Sequence, residues 1–371
     1  MSGEAIGGEQ GQGQVHPAVL GLFDKRLEGD DTLLQLARLR FERAGIGAEV
    51  YPGAPERLND AVGQAPENAV TLHAHLPRGL NLLREDDRRW VVEFARRSPA
   101  RVRGLVAHDQ WDVVENPDEY RAALRRIDAE LRALGRPEPR LFVEYAVGVE
   151  ASRFVALFAS LADLSQVSAC IDVGHLGIQQ ARVAFAARRP GLDICALKPY
   201  DEALPALMPE VEGAMQTVLP WLLEQIEPLA RIGKPLHFHL HDGHPLWSFS
   251  RYGVADHASF LEQVVVPFDF RGQPCVPMMY GPAGLRAIVA TALRWLPAPQ
   301  VTFTLEIHPV EGRQPLGAFA PYFRHWRDTT NAERMNYWMT VLLRNAQLTR
   351  DAATAALAAL AAPLAQAQRI E

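Results

Sequence analysis

The sequence predicts an α/β protein closed into a (β/α)8, or TIM, barrel, with long loops on the catalytic face and extra C-terminal helices. Two observations predict it. Eight short apolar runs alternate with longer amphipathic segments, the rhythm of a parallel sheet wrapped by helices. Six successive runs then end in a residue that can bind a metal. A doubly wound open sheet shares the alternation but gathers polar groups at one switch point. A closed barrel collects them from many strand ends on one face.

In chain order, residues 1–15 are polar and Gly-rich and are expected to be a disordered tail. They lack the apolar segment of a leader. Strands are predicted near 18–23 (AVLGLF), 46–51 (IGAEVY), 69–75 (AVTLHAH) and 102–108 (VRGLVAH). Four more follow near 140–146 (RLFVEYA), 168–174 (SACIDVG), 235–241 (PLHFHLH) and 300–306 (QVTFTLE). Each is a run of β-branched and aromatic residues bounded by Pro, Gly or Asp. Helices are predicted over 31–44, 86–98, 117–135, 150–162, 178–188, 203–231 and 283–296. The barrel domain is set at 16–312, followed by a helical extension over 313–371 whose helices, within 317–369, offer a surface for homo-oligomers. The connections 176–234 and 243–299 are long enough to shape substrate access.

The densest chemistry lies in LHFHLHDGHP (236–245), which holds four of the twelve histidines. His237, His239 and His241 alternate, so one strand face carries all three. A strand of hydrogen-bonded structural histidines is the plain alternative. The other strand ends supply partners: His75, His108, Glu144, Asp172 with His175 beyond it, and Glu306. Imidazoles and carboxylates together suit a divalent cation.

The remaining composition narrows the classes. A net charge of −6 gives no basic footprint for nucleic acid, and no run is apolar enough to span a membrane. Three scattered cysteines, Cys170, Cys195 and Cys275, make neither a disulfide framework nor a thiolate zinc site and fit a reducing, cytoplasmic setting. The basic run 95–103 precedes the fourth strand and belongs to the far face of the barrel.

The strand ends VEYA (143–146), IDVGH (171–175), HLHD (239–242) and LEIH (305–308) resemble those of the xylose isomerase-like TIM-barrel superfamily. That group contains sugar isomerases, ketose epimerases and endonuclease IV-type apurinic endonucleases. The resemblance covers about 18–310. It implies that Glu144, Asp172, His239 and Glu306 hold one Mn2+, Mg2+, Co2+ or Zn2+ ion. It further implies that Glu144 and Glu306 move a substrate proton, with His175 completing the candidate catalytic set.

HLPRGLNL (75–82) and LVAHD (105–109) are similar to the endonuclease branch, which implies that His75 and His108 join Glu144 on a second cation. A third would use His175 with either Asp242 and His244 or Asp256 and His257. His241, Trp111, Trp247, Lys198 and Arg286 are candidates for substrate contact. Core packing is the alternative for the tryptophans, and a plain Gly-Pro helix start is the alternative to an anion seat at YGPAGLR (280–286).

Three functions follow in order of expectation. The first is a metal-dependent isomerase or epimerase of a sugar, sugar phosphate or related polyol. The second is a multi-metal hydrolase of a phosphoester. The third is a dehydratase or lyase on the same scaffold, or a non-catalytic barrel that binds a metabolite.

Overall fold

The computed structural model describes residues 16–23, 31–67, 69, 71–145, 150–197, 201–247, 257–261, 268–270, 273–275, 278–307 and 331–367. The predicted tail at 1–15 lies outside them.

Eight parallel strands close into a barrel: β1 (Ala18–Leu22), β2 (Gly47–Val50), β3 (Leu72–His75), β4 (Val102–His108), β5 (Arg140–Glu144), β6 (Val167–Asp172), β7 (Leu236–Leu240) and β10 (Val301–Leu305). Closure is made where β1 pairs with β10, Val19 opposite Phe303. A short antiparallel pair, β8 (Phe268–Phe270) and β9 (Gln273–Cys275), stands apart from the barrel. The strands are buried on both faces, and their outward residues, such as Phe238 and Phe303, pack under the helices. That is why they read as continuous apolar runs.

The helices are α1 (Asp31–Ala44), α2 (Leu58–Gln64), α3 (Glu85–Arg97), α4 (Pro117–Ala133), α5 (Ala151–Ala159), α6 (Val173–Arg188), α7 (Leu204–Met215), α8 (Val218–Arg231), α9 (Gly281–Trp295) and α10 (Asn331–Ala367). Two of the predicted helices differ from the sequence reading for identifiable reasons. The helix expected to begin at 178 begins at Val173, because the Asp172 carboxylate accepts the His175 N–H at 2.7 Å and caps it there. The single helix expected over 203–231 is two, α7 and α8. Pro220 lacks an N–H and its ring opposes the carbonyl four residues back, at Gln216, where the break falls. Short α2 was not anticipated.

Helix α10 packs against α9, α1, β1 and β10, the place an eighth barrel helix occupies. Polar contacts made by Trp338, Asn345 and Arg350 help to fix it. Trp338 donates to the Ile307 carbonyl at 2.9 Å. Asn345 donates to Ser259 at 2.8 Å and accepts from the Phe260 N–H at 3.1 Å. Arg350 donates to the carbonyls of Ala44 and Gly45, both at 2.6 Å. Gly21 on β1 admits the helix closely, since a Cβ there would stand 2.8 Å from Leu342. Among the described residues no helix is long and apolar enough to cross a membrane.

Candidate metal centre

The side chains of β7 climb the barrel axis. Alternate residues on a strand share a face and rise by about 6.5 Å per pair. His237, His239 and His241 therefore stand at three levels, all fully buried, and each meets a different set of partners.

At the uppermost level are two groups. In the first, His75 and His108 converge on Glu144: both Nε2 atoms stand 3.1 Å from Glu144 Oε2 and 3.2 Å from each other. His75 Nδ1 lies 3.0 Å from the Leu76 carbonyl, which can only accept, so Nδ1 carries the proton. The Nε2 of a neutral His75 is then a bare lone pair aimed at a carboxylate oxygen. Donor atoms spaced this way match the edge of a coordination polyhedron with bonds near 2.0–2.1 Å, about 3.0–3.4 Å. Burial pushes His108 down toward its neutral form, in spite of Glu144.

The second group is Asp172, His175, His241 and His257, whose ligand atoms all lie within 4.8 Å of one another. Asp172 Oδ1 is 2.9 Å from His241 Nε2, and Oδ2 is 3.1 Å from His175 Nδ1. His241 repeats the pattern of His75: its Nδ1 is 3.2 Å from the carbonyl of the next residue, Asp242, leaving Nε2 toward Asp172. The ring lies so close to α6 that a Cβ on Gly174 would stand 1.9 Å from it. That contact explains the glycine of IDVGH.

His239 stands below and between them. Its Nδ1 is 3.3 Å from Glu144 Oε1 and 3.2 Å from Glu306 Oε2, and its Nε2 is 3.2 Å from Glu49 Oε1. Neither ring nitrogen has a hydrogen bond of good geometry. Glu306 also lies 3.5 Å from His257, linking the second group to the centre. Burial works against the ionisation of Glu144 and Glu306, yet His108 and His239 hold Glu144, and His257 and His239 hold Glu306, well below the usual carboxylate range. Burial works against protonation of His239 as well. Cys170, Glu49, Glu144 and Glu306 outweigh it and push the imidazole well above its ordinary value. The centre is thus a buried nest of carboxylates and imidazoles that draws a positive charge. These residues can hold a metal ion: the donors are oxygen and nitrogen, close-set, and oriented by their second atoms.

Among the proposed ligands, Glu144, His239 and Glu306 meet directly, while the contacts of Asp172 run to His175 and His241. His241, expected at the substrate, is a partner of Asp172. His257 joins the second group; Asp256 lies outside the described residues.

Asp242 is spent elsewhere, a correction to its candidacy as a ligand. Its carboxylate accepts the N–H groups of Gly243, Met279 and Gly281 at 2.7 Å each and that of Tyr280 at 3.2 Å. It therefore fills the α9 N-terminus itself, where an anion seat was the functional alternative. His244 is used locally, accepting the Leu246 N–H at 3.2 Å, and burial lowers it to about 4. Arg286 is exposed on α9. Lys198 lies outside the described residues, as do the side chains of Trp111 and Trp247.

The sequence reading missed Glu49 and His73. Both are buried beneath the mouth, His73 with its ring 4.3 Å from that of His237. A signal was present. Glu49 interrupts an otherwise apolar strand that a barrel buries on both faces, and an unpaired charge does not survive there.

No protein-family model and no curated protein matches the chain. A solved structure described as "The crystal structure of AsfvAP:AG" is similar to it at 13% identity and a TM-score of 0.45, covering 84% of this chain and 99% of that one.

Proposed function

We propose that the barrel mouth is a multi-metal centre that hydrolyses a small phosphoester. The observation that carries this reading is the His75–His108–Glu144 cluster, a complete three-donor set distinct from the Asp172–His175–His241–His257 set. A site built for one cation has no use for two imidazoles held 3.2 Å apart against a carboxylate. Bound cations would supply charge stabilisation to phosphoryl oxygens and lower the pKa of a water. The chain's own part is to orient the donors. Leu76 and Asp242 carbonyls fix the tautomers of His75 and His241, and Glu144 and Glu306 converge on His239 from the two sides. His108 and His175 are the partly exposed members and form the rim at which a substrate would dock. The resemblance to the endonuclease branch supports the phosphoester class. The acidic net charge directs the choice toward a small ester over duplex DNA.

One observation favours an isomerase or epimerase instead. Glu144 and Glu306 both stand on His239 Nδ1, so two carboxylates flank one point, as a proton shuttle needs.

Metal content per chain separates the two. The hydrolase reading expects two or more equivalents, one lost in His75→Ala, with turnover of aryl phosphomonoesters or phosphodiesters. A single equivalent retained in His75→Ala, together with deuterium washing into a sugar from heavy water, would replace it with the isomerase.

A further inference from the structure

The turn that follows His75 carries a guanidinium to the rim of the mouth. The Leu80 N–H donates to the Pro77 carbonyl at 3.1 Å. Arg78 and Gly79 are therefore the exposed tip of a tight turn between the buried side chains of Leu76 and Leu80. Gln110, two residues beyond His108, donates to the Arg78 carbonyl at 3.1 Å. That bond ties the tip to the end of the neighbouring strand, beside the His75–His108–Glu144 cluster. Asn81 ties the base of the turn in the same way, its side chain donating to Asp112 at 2.5 Å. The backbone is thus held from two sides. Among the described residues the Arg78 guanidinium itself makes no hydrogen bond or ion pair. A Cβ on Gly79 would meet nothing within 4 Å, so the space next to it is open. Burial is the main cause that pushes His108 down, and the Arg78 charge adds to it, which puts the guanidinium within electrostatic reach of that ring.

We propose that Arg78 grips the phosphoryl group of the substrate, and that this substrate is a phosphomonoester. An exposed guanidinium beside an open space, on a turn tied down at tip and base, is preorganised for an anion. Its planar fork donates two parallel hydrogen bonds and matches two oxygens of one phosphoryl group. A phosphomonoester has three non-bridging oxygens. Two can sit in the fork while the third faces the donors of His75, His108 and Glu144. A phosphodiester has only two, so the fork and the cation-binding donors would compete for them. Lysine in the same place would bring the charge without the fork.

This assignment rests on the hydrolase reading above and narrows its substrate class. Wild type, Arg78→Ala and Arg78→Lys, each loaded with metal, are titrated with inorganic phosphate by calorimetry. The same proteins are assayed on an aryl phosphomonoester and an aryl phosphodiester. Metal content should be equal in all three, because Arg78 holds none of the candidate ligands. The wild type should prefer the monoester. Arg78→Ala should bind phosphate about 10- to 100-fold more weakly. Its KM for the monoester should rise by a similar factor, with a smaller change in kcat, and the diester should suffer less. Arg78→Lys should recover only part of the loss. Arg78→Ala with wild-type phosphate affinity overturns the assignment, and so does a wild type that prefers the diester or an equal loss on both esters. A wild type that turns over neither ester defeats the hydrolase reading and, with it, the role of Arg78. A failure confined to the variants leaves that reading standing.

Discussion

At the scale of the residue, the candidate centre shows why identical side chains on one strand do different work. His237, His239 and His241 differ only in height along the barrel, and height decides the neighbours: threonines and Glu49, then three carboxylates, then Asp172. Gly174 belongs to the same scale. Replacing it with Ala would drive a methyl into the His241 ring, so we expect a folded barrel that has lost about tenfold or more in cation affinity at the Asp172 group, read by metal titration.

Lys234 offers a pH test away from the centre. Burial pushes its amine down to about 8, although Asp128 and Asp163 oppose the shift, and it donates to the Leu161 carbonyl at 2.9 Å. The unfolded chain holds that proton more tightly than the folded one, so this group makes stability rise as pH climbs from about 8 toward the ordinary lysine value. Thermal unfolding at pH 7.5 and pH 10 should show a smaller change in Lys234→Met than in the wild type.

At the scale of the element, helix ends prove to be assigned by side chains from other parts of the chain. Asp172 ends β6 and starts α6 in one step, and thereby turns His175 from a loop residue into a first-turn helix residue whose ring stays beside the carboxylate. Asp242 does the same for α9 from a distance of 37 residues or more in sequence. Tyr280 clamps that helix to α6, its hydroxyl donating to the Val173 carbonyl at 2.6 Å. Asp242→Ala would strand several buried N–H groups, and we expect a loss of at least about 2 kcal/mol in urea unfolding. Metal stoichiometry in that variant should match the wild type; a lost equivalent would return Asp242 to the ligands.

At the scale of the whole molecule, the barrel is sealed by its last helix. Trp338, Met339, Leu342 and Ala346 of α10 are buried against β1, β10 and their flanking helices, whereas residues 358–362 are exposed. Deleting 359–371 should leave a single cooperative transition with a midpoint within a few degrees of wild type. Deleting 331–371 should leave the apolar face around Phe41 and Gly21 open and yield an aggregating or non-cooperative product, as measured by scattering and circular dichroism.

Local pattern by itself determined the barrel. Strand runs and helix periodicity depend on near neighbours, and the candidate ligands at the strand ends, His75, His108, Glu144, Asp172 and Glu306, could be read one at a time because each closes an apolar run. Tertiary structure decided who meets whom. Asp242 and His241 are adjacent in sequence and equally suited to a cation, yet one caps a helix and the other faces Asp172, because successive residues of an extended chain point to opposite sides and only packing says what waits there. The partners of Glu49 were hidden for the same reason, although its charge in an apolar strand was legible: they lie 188 and 255 residues away on β7 and β10, brought together only when a closed sheet returns its last strand to its first.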